Sequence, residues 1–172
     1  MYSYEKKNMI EYKWYPFYTR SRFEKKVYLE LLNLNYDAYL PLQKAVRHWK
    51  DRRKIVELPL FSSYIFVRIQ PHQIPEILKI KGISRYISFN NQPAYVKDEE
   101  IEVIKSFLNT NSEIEVLDGL MKEGTEVIMK SGLFSGYKGK IIKHSGKNKI
   151  VVEIESMNKT LLVTLDTENI KE

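Results

Sequence analysis

The sequence predicts an α+β fold: an N-terminal antiparallel sheet with flanking helices, followed by a small all-β barrel. Three observations predict it. Strand and helix patterns alternate over residues 1–109, the helical segments there are amphipathic, and only short strand patterns follow over residues 122–172. The stretch 110–121 between them begins polar and irregular, and we expect it to be a linker.

The first elements follow from aromatic density and helical periodicity. KWYPFYT (13–19) is dense in aromatic residues and predicts a strand. SRFEKKVYLELLNLNY (21–36) predicts a helix, with Ser21 as N-cap and Glu24 at the spacing of a capping box. A short strand, DAYLPL (37–42), follows. The apolar stripe of the helix is Phe23, Val27, Leu31 and Leu34.

A long basic hairpin is predicted over residues 44–69, with HWKDRRK at its tip. HQIPEILKIKG (72–82) then predicts a short helix that stops at Gly82. ISRYISFNNQPAYV (83–96) predicts two strands around an Asn-rich turn. KDEEIEVIKSFLN (97–109) predicts a helix, because its acidic first turn complements the helix dipole. Its buried stripe is Ile101, Ile104, Phe107 and Leu108.

The C-terminal part carries five short strand signals separated by turn signals, which predicts a small barrel. The signals are TEVIMK, KGKIIKH, KIVVEIES, KTLLVTLD and ENIKE. Two of them are rich in β-branched residues and alternate, so we expect a stable barrel rather than an alternative helical form.

Composition argues against several functional classes. The chain has no cysteine and its three histidines are scattered, so neither a disulfide nor a metal site is expected. No catalytic motif is present, so no enzyme activity and no cofactor are expected. Because no apolar run reaches membrane-spanning length and the N-terminus lacks a signal-peptide core, we expect a cytoplasmic protein without a membrane partner.

Positive charge is concentrated in the first part of the chain, whose net charge is +6 as a whole. Residues 1–109 hold 19 Lys or Arg against 12 Asp or Glu, while residues 110–172 hold 9 against 10. This asymmetry favours a nucleic-acid or polyanion surface in the first part, with a generally basic protein as the alternative. At the hairpin tip, Trp49 among arginines suits base stacking or phosphate contact.

Several motifs together resemble the NusG family. GTEVIMKSGLFSGYKGKII (124–142) resembles the KOW motif of that family and of several ribosomal proteins. WYPFYTRSRFEKKV, AYLPL, ELPLFSSYIFVRI and GISRYISFNNQPAYV resemble the NusG N-terminal (NGN) domain in the correct order. The N-terminal part is most similar to the specialised UpxY/RfaH group, with the general family member as the alternative. The alternative class is a KOW-bearing ribosome-associated protein, but such a role does not explain the aromatic cluster of ELPLFSSYIFVRI.

The resemblance implies a transcription elongation or antitermination factor that acts by binding. NusG-like proteins place a hydrophobic pocket on the clamp helices of the largest RNA polymerase subunit and suppress pausing. Specialised members serve particular long operons, often for surface polysaccharide. Some of the matching positions are also candidates for plain core residues. The positions that match the pocket are Tyr18, Phe61, Tyr64, Phe66 and Phe89.

The resemblance and the charge pattern together indicate nucleic-acid contacts, with a solvated basic face as the alternative. Residues that match or flank contacts to the non-template DNA strand are Arg20, Arg22, Lys25, Lys26 and Lys81. Hairpin residues expected to contact upstream DNA or RNA are Arg47, Trp49, Arg52 and Arg53.

The glycine-rich loop of the KOW-like segment carries two aromatic residues, Phe134 and Tyr137. By resemblance they contact a further partner, either Rho or a small-subunit ribosomal protein. A plain turn whose aromatic side chain packs on the barrel end is the alternative. We expect the protein to be a monomer.

Overall fold

The structure is a computed structural model that describes residues 11–49, 52–110, 112–121, 124–128, 138–144 and 146–164. These residues form a four-stranded and a five-stranded antiparallel sheet, two small two-stranded sheets and three α-helices. The predicted α+β class is therefore confirmed. No helix in this described part is long and apolar enough to span a bilayer.

The elements divide into an N-terminal and a C-terminal series. The N-terminal series is β1 (Lys13–Thr19), α1 (Glu24–Asn33), β2 (Asp37–Tyr39), β3 (Leu42–Trp49), β4 (Arg52–Pro59), β5 (Tyr64–Ile69), α2 (Ile74–Ile77), β6 (Ile83–Tyr86), β7 (Ser88–Phe89), β8 (Gln92–Pro93) and α3 (Asp98–Asn109). The C-terminal series is β9 (Ile114–Asp118), β10 (Thr125–Ile128), β11 (Lys138–His144), β12 (Lys147–Ile154) and β13 (Lys159–Thr164).

The four-stranded sheet has the order β2-β5-β1-β6, so β1 and β5 are central. They pair antiparallel, with Tyr18 opposite Tyr64 and Lys13 opposite Ile69. Both strands carry apolar residues on both faces, so each face of the sheet must pack against another part of a protein to be buried. On the first face, Phe17, Ile65 and Val67 pack with buried residues of α1 and α2.

The start of α1 differs from the prediction. The chain turns at Arg22, whose φ of 65° is left-handed, and the helix begins only at Glu24. Glu24 therefore forms no capping box with Ser21, and its carboxylate instead accepts a hydrogen bond of 2.8 Å from the backbone N–H of Ser63. Leu34, predicted in the buried stripe, is 50% exposed because the helix ends before it.

Gly82 ends the α2 segment and is required by packing as well as by its turn. Its φ is +106°, and an added Cβ would lie 2.8 Å from a ring carbon of Phe23 and 2.9 Å from a methyl group of Val27. An L-residue at this position would therefore be strained and would push α1 away from the sheet. The predicted helix around it is short, with a 3-10 turn over Pro71–Gln73 before α2.

The basic hairpin is shorter than the predicted 44–69. β3 and β4 pair with each other from Leu42 opposite Pro59 to Trp49 opposite Arg52, and we call this pair the basic ribbon. β5 is not its second strand but enters the four-stranded sheet, after a turn in which Ser63 has a φ of 64°. The predicted Asn-rich turn is confirmed between β7 and β8.

The five-stranded sheet has the order β10-β11-β12-β13-β9. β9 lies inside the stretch 110–121 that we expected to be a linker, and it pairs with β13, with Ile114 opposite Val163. Its alternating IEVLD is a strand pattern that the polar residues on either side obscure. The predicted strand in ENIKE lies outside the described residues.

The second face of the four-stranded sheet is covered from within the chain. α3 and the five-stranded sheet both contribute to it, and the buried side chains of all three form one cluster. The predicted stripe of α3 is confirmed in this cluster for Ile101, Ile104 and Phe107, while Leu108 packs at its edge. The residues from the five-stranded sheet include Ile114, Ile150, Val152, Ile154, Leu161 and Val163.

Candidate functional site

Six aromatic side chains gather on the second face of the four-stranded sheet, including Trp14, which packs against Tyr39 at 6.4 Å between ring centroids. We call the five tyrosine and phenylalanine side chains among them the aromatic face. Register places them there, because Tyr18 lies opposite Tyr64 and Tyr39 opposite Phe66, while the turn before β5 brings in Phe61. The ring centroids of Tyr18 and Tyr64 are 4.5 Å apart, and Phe61 is 5.9 Å from Phe66 and 6.3 Å from Tyr64. The members are Tyr18, Tyr39, Phe61, Tyr64 and Phe66.

The aromatic face is closed in this structure. Phe66 is fully buried, Phe61 and Tyr64 are 2% and 6% exposed, and Tyr18 is half-buried. Of the predicted pocket residues, four therefore lie together, beneath α3 and the five-stranded sheet. Phe89, the fifth, is 73% exposed in the β7–β8 turn and does not belong to the buried cluster, so its contact with a polymerase stays a prediction.

Tyr64 connects the aromatic face to its cover. Its hydroxyl donates a 2.6 Å hydrogen bond to the hydroxyl of Tyr18. Burial, followed by this hydrogen bond, raises the pKa of Tyr64 well above the ordinary tyrosine value, so it stays a protonated donor. The ammonium of Lys159, on β13, lies 5.4 Å from the Tyr64 ring centroid and also pairs with Asp118 on β9.

Three cations at the aromatic face were missed by sequence reasoning. The first is Lys159, and the second is Arg85 on β6, whose guanidinium lies 4.6 Å from the Tyr18 ring centroid. The third is Lys105 on α3, whose ammonium lies 5.4 Å from the Tyr39 ring centroid. Arg85 is opposite Tyr18 in the β1–β6 pairing. The Arg85 contact depends on pairing between β1 and β6, and the lysine contacts depend on packing of the five-stranded sheet and α3 against the aromatic face. No local signal in the sequence reports either.

Most of the residues predicted to contact nucleic acid form two groups, and the remaining ones lie on the basic ribbon. Arg20 and Lys81 lie near one another at the end of β1, since the Arg20 backbone N–H donates to the carbonyl of Gly82 at 2.8 Å. Both are exposed, as are Lys26 and Arg85 nearby in the same part of the fold. We call Arg20, Lys26, Lys81 and Arg85 the basic edge.

The second group lines a cleft of about 730 Å³ between the start of α1, the base of the basic ribbon and the five-stranded sheet. Arg22 lines it from the turn before α1, Lys25 from the first turn of α1, and Arg47 from β3. The fold thus brings Arg22 and Lys25 to the same opening as Arg47, although more than twenty residues separate them in the sequence. We call this opening the composite cleft.

The other ribbon residues divide by strand parity. Arg53 is exposed and lies opposite His48, whereas Arg47 lies opposite Lys54, so the two arginines are on opposite faces of the ribbon. Trp49 and Arg52 pair at its end, but their side chains lie outside what the structure describes. Phe134 and Tyr137 also lie outside the described residues.

Comparisons with known proteins point to one family. A family described as "Transcription termination factor nusG" matches residues 12–105. A solved structure described as "Domain interaction in Thermotoga maritima NusG" is similar over 92% of this chain and 96% of that chain, with a TM-score of 0.55 and 22% sequence identity. At that identity the structural likeness concerns the fold, and the family match covers β1 through most of α3.

Proposed function

Because the chain belongs to the NusG family, we propose that it is a transcription elongation and antitermination factor that binds RNA polymerase through its aromatic face. The family consists of non-enzymatic transcription factors that bind RNA polymerase. The proposal concerns where the polymerase binds, when it binds, and on which transcripts the protein acts.

The observation that carries the proposal is the aromatic face. Buried aliphatic residues would suffice to close a sheet, yet this face concentrates five tyrosine or phenylalanine side chains within one contact network. Large aromatic side chains are the anchors of helix-in-groove interfaces, because they bury much area at a small cost in conformational entropy. The proposed occupant is the helical coiled coil of the polymerase clamp, in the largest subunit.

The closed arrangement implies that binding requires a rearrangement. The five-stranded sheet occupies the aromatic face, so the clamp helices and this sheet compete for the same apolar surface. We propose that the chain divides into an NGN domain (1–109), a connection (110–121) and a KOW domain (122–172), with β9 completing the KOW sheet. A partner that binds only the open form shifts the equilibrium towards it.

The basic edge supports contact with nucleic acid beside the bound polymerase. Arg20 follows β1, whose Tyr18 belongs to the aromatic face, and both Arg20 and Lys81 are exposed to an adjacent non-template strand. The proposed targets are specific long operons, such as those for surface polysaccharide, as in the UpxY/RfaH group. The alternative is a general factor that couples to Rho or to the ribosome through its KOW domain.

A transcription assay with purified RNA polymerase tests the proposal. We expect fewer pauses on a template that carries a polysaccharide-operon leader, and no change on an unrelated leader of equal length. Equal effects on both leaders would favour the general factor. Neither polymerase binding nor an effect on pausing, even with a variant that opens the closed arrangement, would refute the proposed function.

Replacing Arg20 and Lys26 together by glutamine should weaken binding to single-stranded DNA in a salt-dependent way. Each lost phosphate contact lowers the slope of log K against log salt by about 0.7 for single strands. The measurement is fluorescence anisotropy with a labelled oligonucleotide over a salt series. Lys143→Gln, an exposed change on β11, is the matched control. An unchanged slope in the double variant would remove both residues from the DNA surface.

A further inference from the structure

The composite cleft has a size and position that the polymerase-binding proposal does not use. Three separate parts of the chain line it: the start of α1, the base of the basic ribbon, and strands β9 and β13. Its volume of about 730 Å³ falls within the range of small-molecule sites, which is roughly 300–1,000 Å³.

The charge that is free in this cleft is mainly positive. Among the described residues, no ion pair engages Arg22, Lys25 or Arg47. Of the three carboxylates in the lining, Asp118 is neutralised by its pair with Lys159, whereas Glu24 accepts from the neutral Ser63 N–H and keeps its charge. Three cations therefore face the opening against the two carboxylates of Glu24 and Glu57, and the lining carries a net positive charge.

The rest of the lining is apolar and partly aromatic. Leu58, Pro59 and Phe61 contribute from the ribbon base and the turn, and Val116 contributes from β9. Arginine side chains bind phosphate through paired N–H groups, while an apolar wall suits a flat heteroaromatic ring. The lining thus has one part for an anion and another for a ring.

We propose that the composite cleft binds a nucleoside phosphate. Its phosphates lie between Arg22, Lys25 and Arg47, which reach them from the two sides of the cleft. Its base packs against Leu58, Pro59 and Val116. The ligand is either a free nucleotide or one nucleotide of a single strand, since both present the same chemistry.

The position of the cleft couples this ligand to the closed arrangement. Val116, Asp118 and Lys159 belong to the five-stranded sheet, whereas the cations of the opposite walls belong to the N-terminal part. A ligand that contacts both walls binds the closed form better than the open form and stabilises it by mass action. This step rests on the proposed function, in which opening exposes the aromatic face to polymerase.

Calorimetric titration of the full chain tests the site. The probes are ADP, GDP, CDP and UDP, with inorganic pyrophosphate and a short oligothymidylate as further arms. We expect saturable one-to-one binding of at least one nucleoside diphosphate and weaker binding of pyrophosphate. Tighter binding of the oligothymidylate than of every nucleotide assigns the site to a single strand, and the reverse order assigns it to a free nucleotide.

Matched variants of the basic ribbon show whether the cleft is the site. Arg47→Gln should weaken nucleotide binding about tenfold or more, because it removes a charge-assisted contact. Lys44→Gln removes one positive charge from the other face of the same ribbon, where Lys44 is exposed opposite Glu57, and should leave binding unchanged. Circular dichroism of both variants checks that neither change unfolds the chain. Lys25→Gln, on the opposite wall of the cleft, is a second variant that should also weaken nucleotide binding.

Three outcomes would overturn the inference: no saturable binding of any nucleotide, equal binding of pyrophosphate, or equal losses in Arg47→Gln and Lys44→Gln. The last would mean a diffuse basic surface. A polymerase-binding assay run with and without nucleotide separates the two proposals. Failure of the nucleotides to bind leaves polymerase binding intact, and failure of polymerase binding leaves the titration result intact.

Discussion

Phe66→Ala is expected to lower the free energy of unfolding by about 3–5 kcal/mol, the range for removing a fully buried phenylalanine. Phe66 is completely inaccessible at the centre of β5, opposite Pro16 on one side and Tyr39 on the other. Its ring belongs to the cluster that joins the two large sheets. Urea denaturation of the full chain, followed by far-UV circular dichroism, measures the loss.

Phe89→Ala is the control for this prediction. It removes the same side chain from a position that is 73% exposed, where substitutions change stability by about 0.5 kcal/mol or less. Similar stabilities for the two variants would mean that the aromatic face is not packed as the structure has it. A large loss for Phe66 alone supports a core shared by the two sheets.

This result bears on how the polymerase-binding role can be tested. Tyr64 and Phe66 are part of the core, so a variant that loses both stability and polymerase binding does not separate the two effects. Polymerase binding of an aromatic-face variant is informative only beside its unfolding curve. Tyr18 is the better position for such a test, because it is half-buried and Tyr18→Phe removes only the hydroxyl that accepts from Tyr64.

The sequence predicts the class of the fold and which residues share a face of a strand, because strand alternation is local. The pattern of β5 shows two apolar faces, and it follows that the second face needs a cover. It does not tell whether the cover is a partner helix or another part of the same chain. Here the cover is α3 and the five-stranded sheet, whose residues are far away in sequence.

The predictions that failed did so for the same reason, because contacts between distant segments outweigh the local pattern. Ser21 and Glu24 have the spacing of a capping box, but a tertiary hydrogen bond to Ser63 outweighs it. The predicted hairpin extends to residue 69 because strand β5 continues the same alternating pattern, although β5 pairs with β1 and β2 in the four-stranded sheet. The composite cleft also depends on contacts between segments that are distant in the sequence. The spacing between Arg22 and Arg47 therefore could not predict it.

Lys159→Glu is expected to open the closed arrangement and to tighten the binding of the full chain to RNA polymerase about tenfold. Lys159 is only 18% exposed, and its ammonium lies over the Tyr64 ring while it pairs with Asp118. Asp118 is 88% exposed, so the ion pair itself contributes little. The cation over the partly desolvated ring contributes more, up to about 2 kcal/mol, and tenfold corresponds to about 1.4 kcal/mol.

The substituted glutamate would also stand beside Asp118 and face the electron-rich side of the ring, so attraction at both contacts becomes repulsion. Lys147→Glu is the matched control, because it reverses charge on the same sheet in an exposed pair with Glu113 at 3.7 Å. Binding to immobilised polymerase is compared for both variants. If the two reversals change the affinity equally, net charge is the cause. If neither changes it, the five-stranded sheet does not limit access to the aromatic face. A gain in Lys159→Glu alone means that Lys159 holds the cover in place, and that polymerase competes with the chain's own second sheet for one surface.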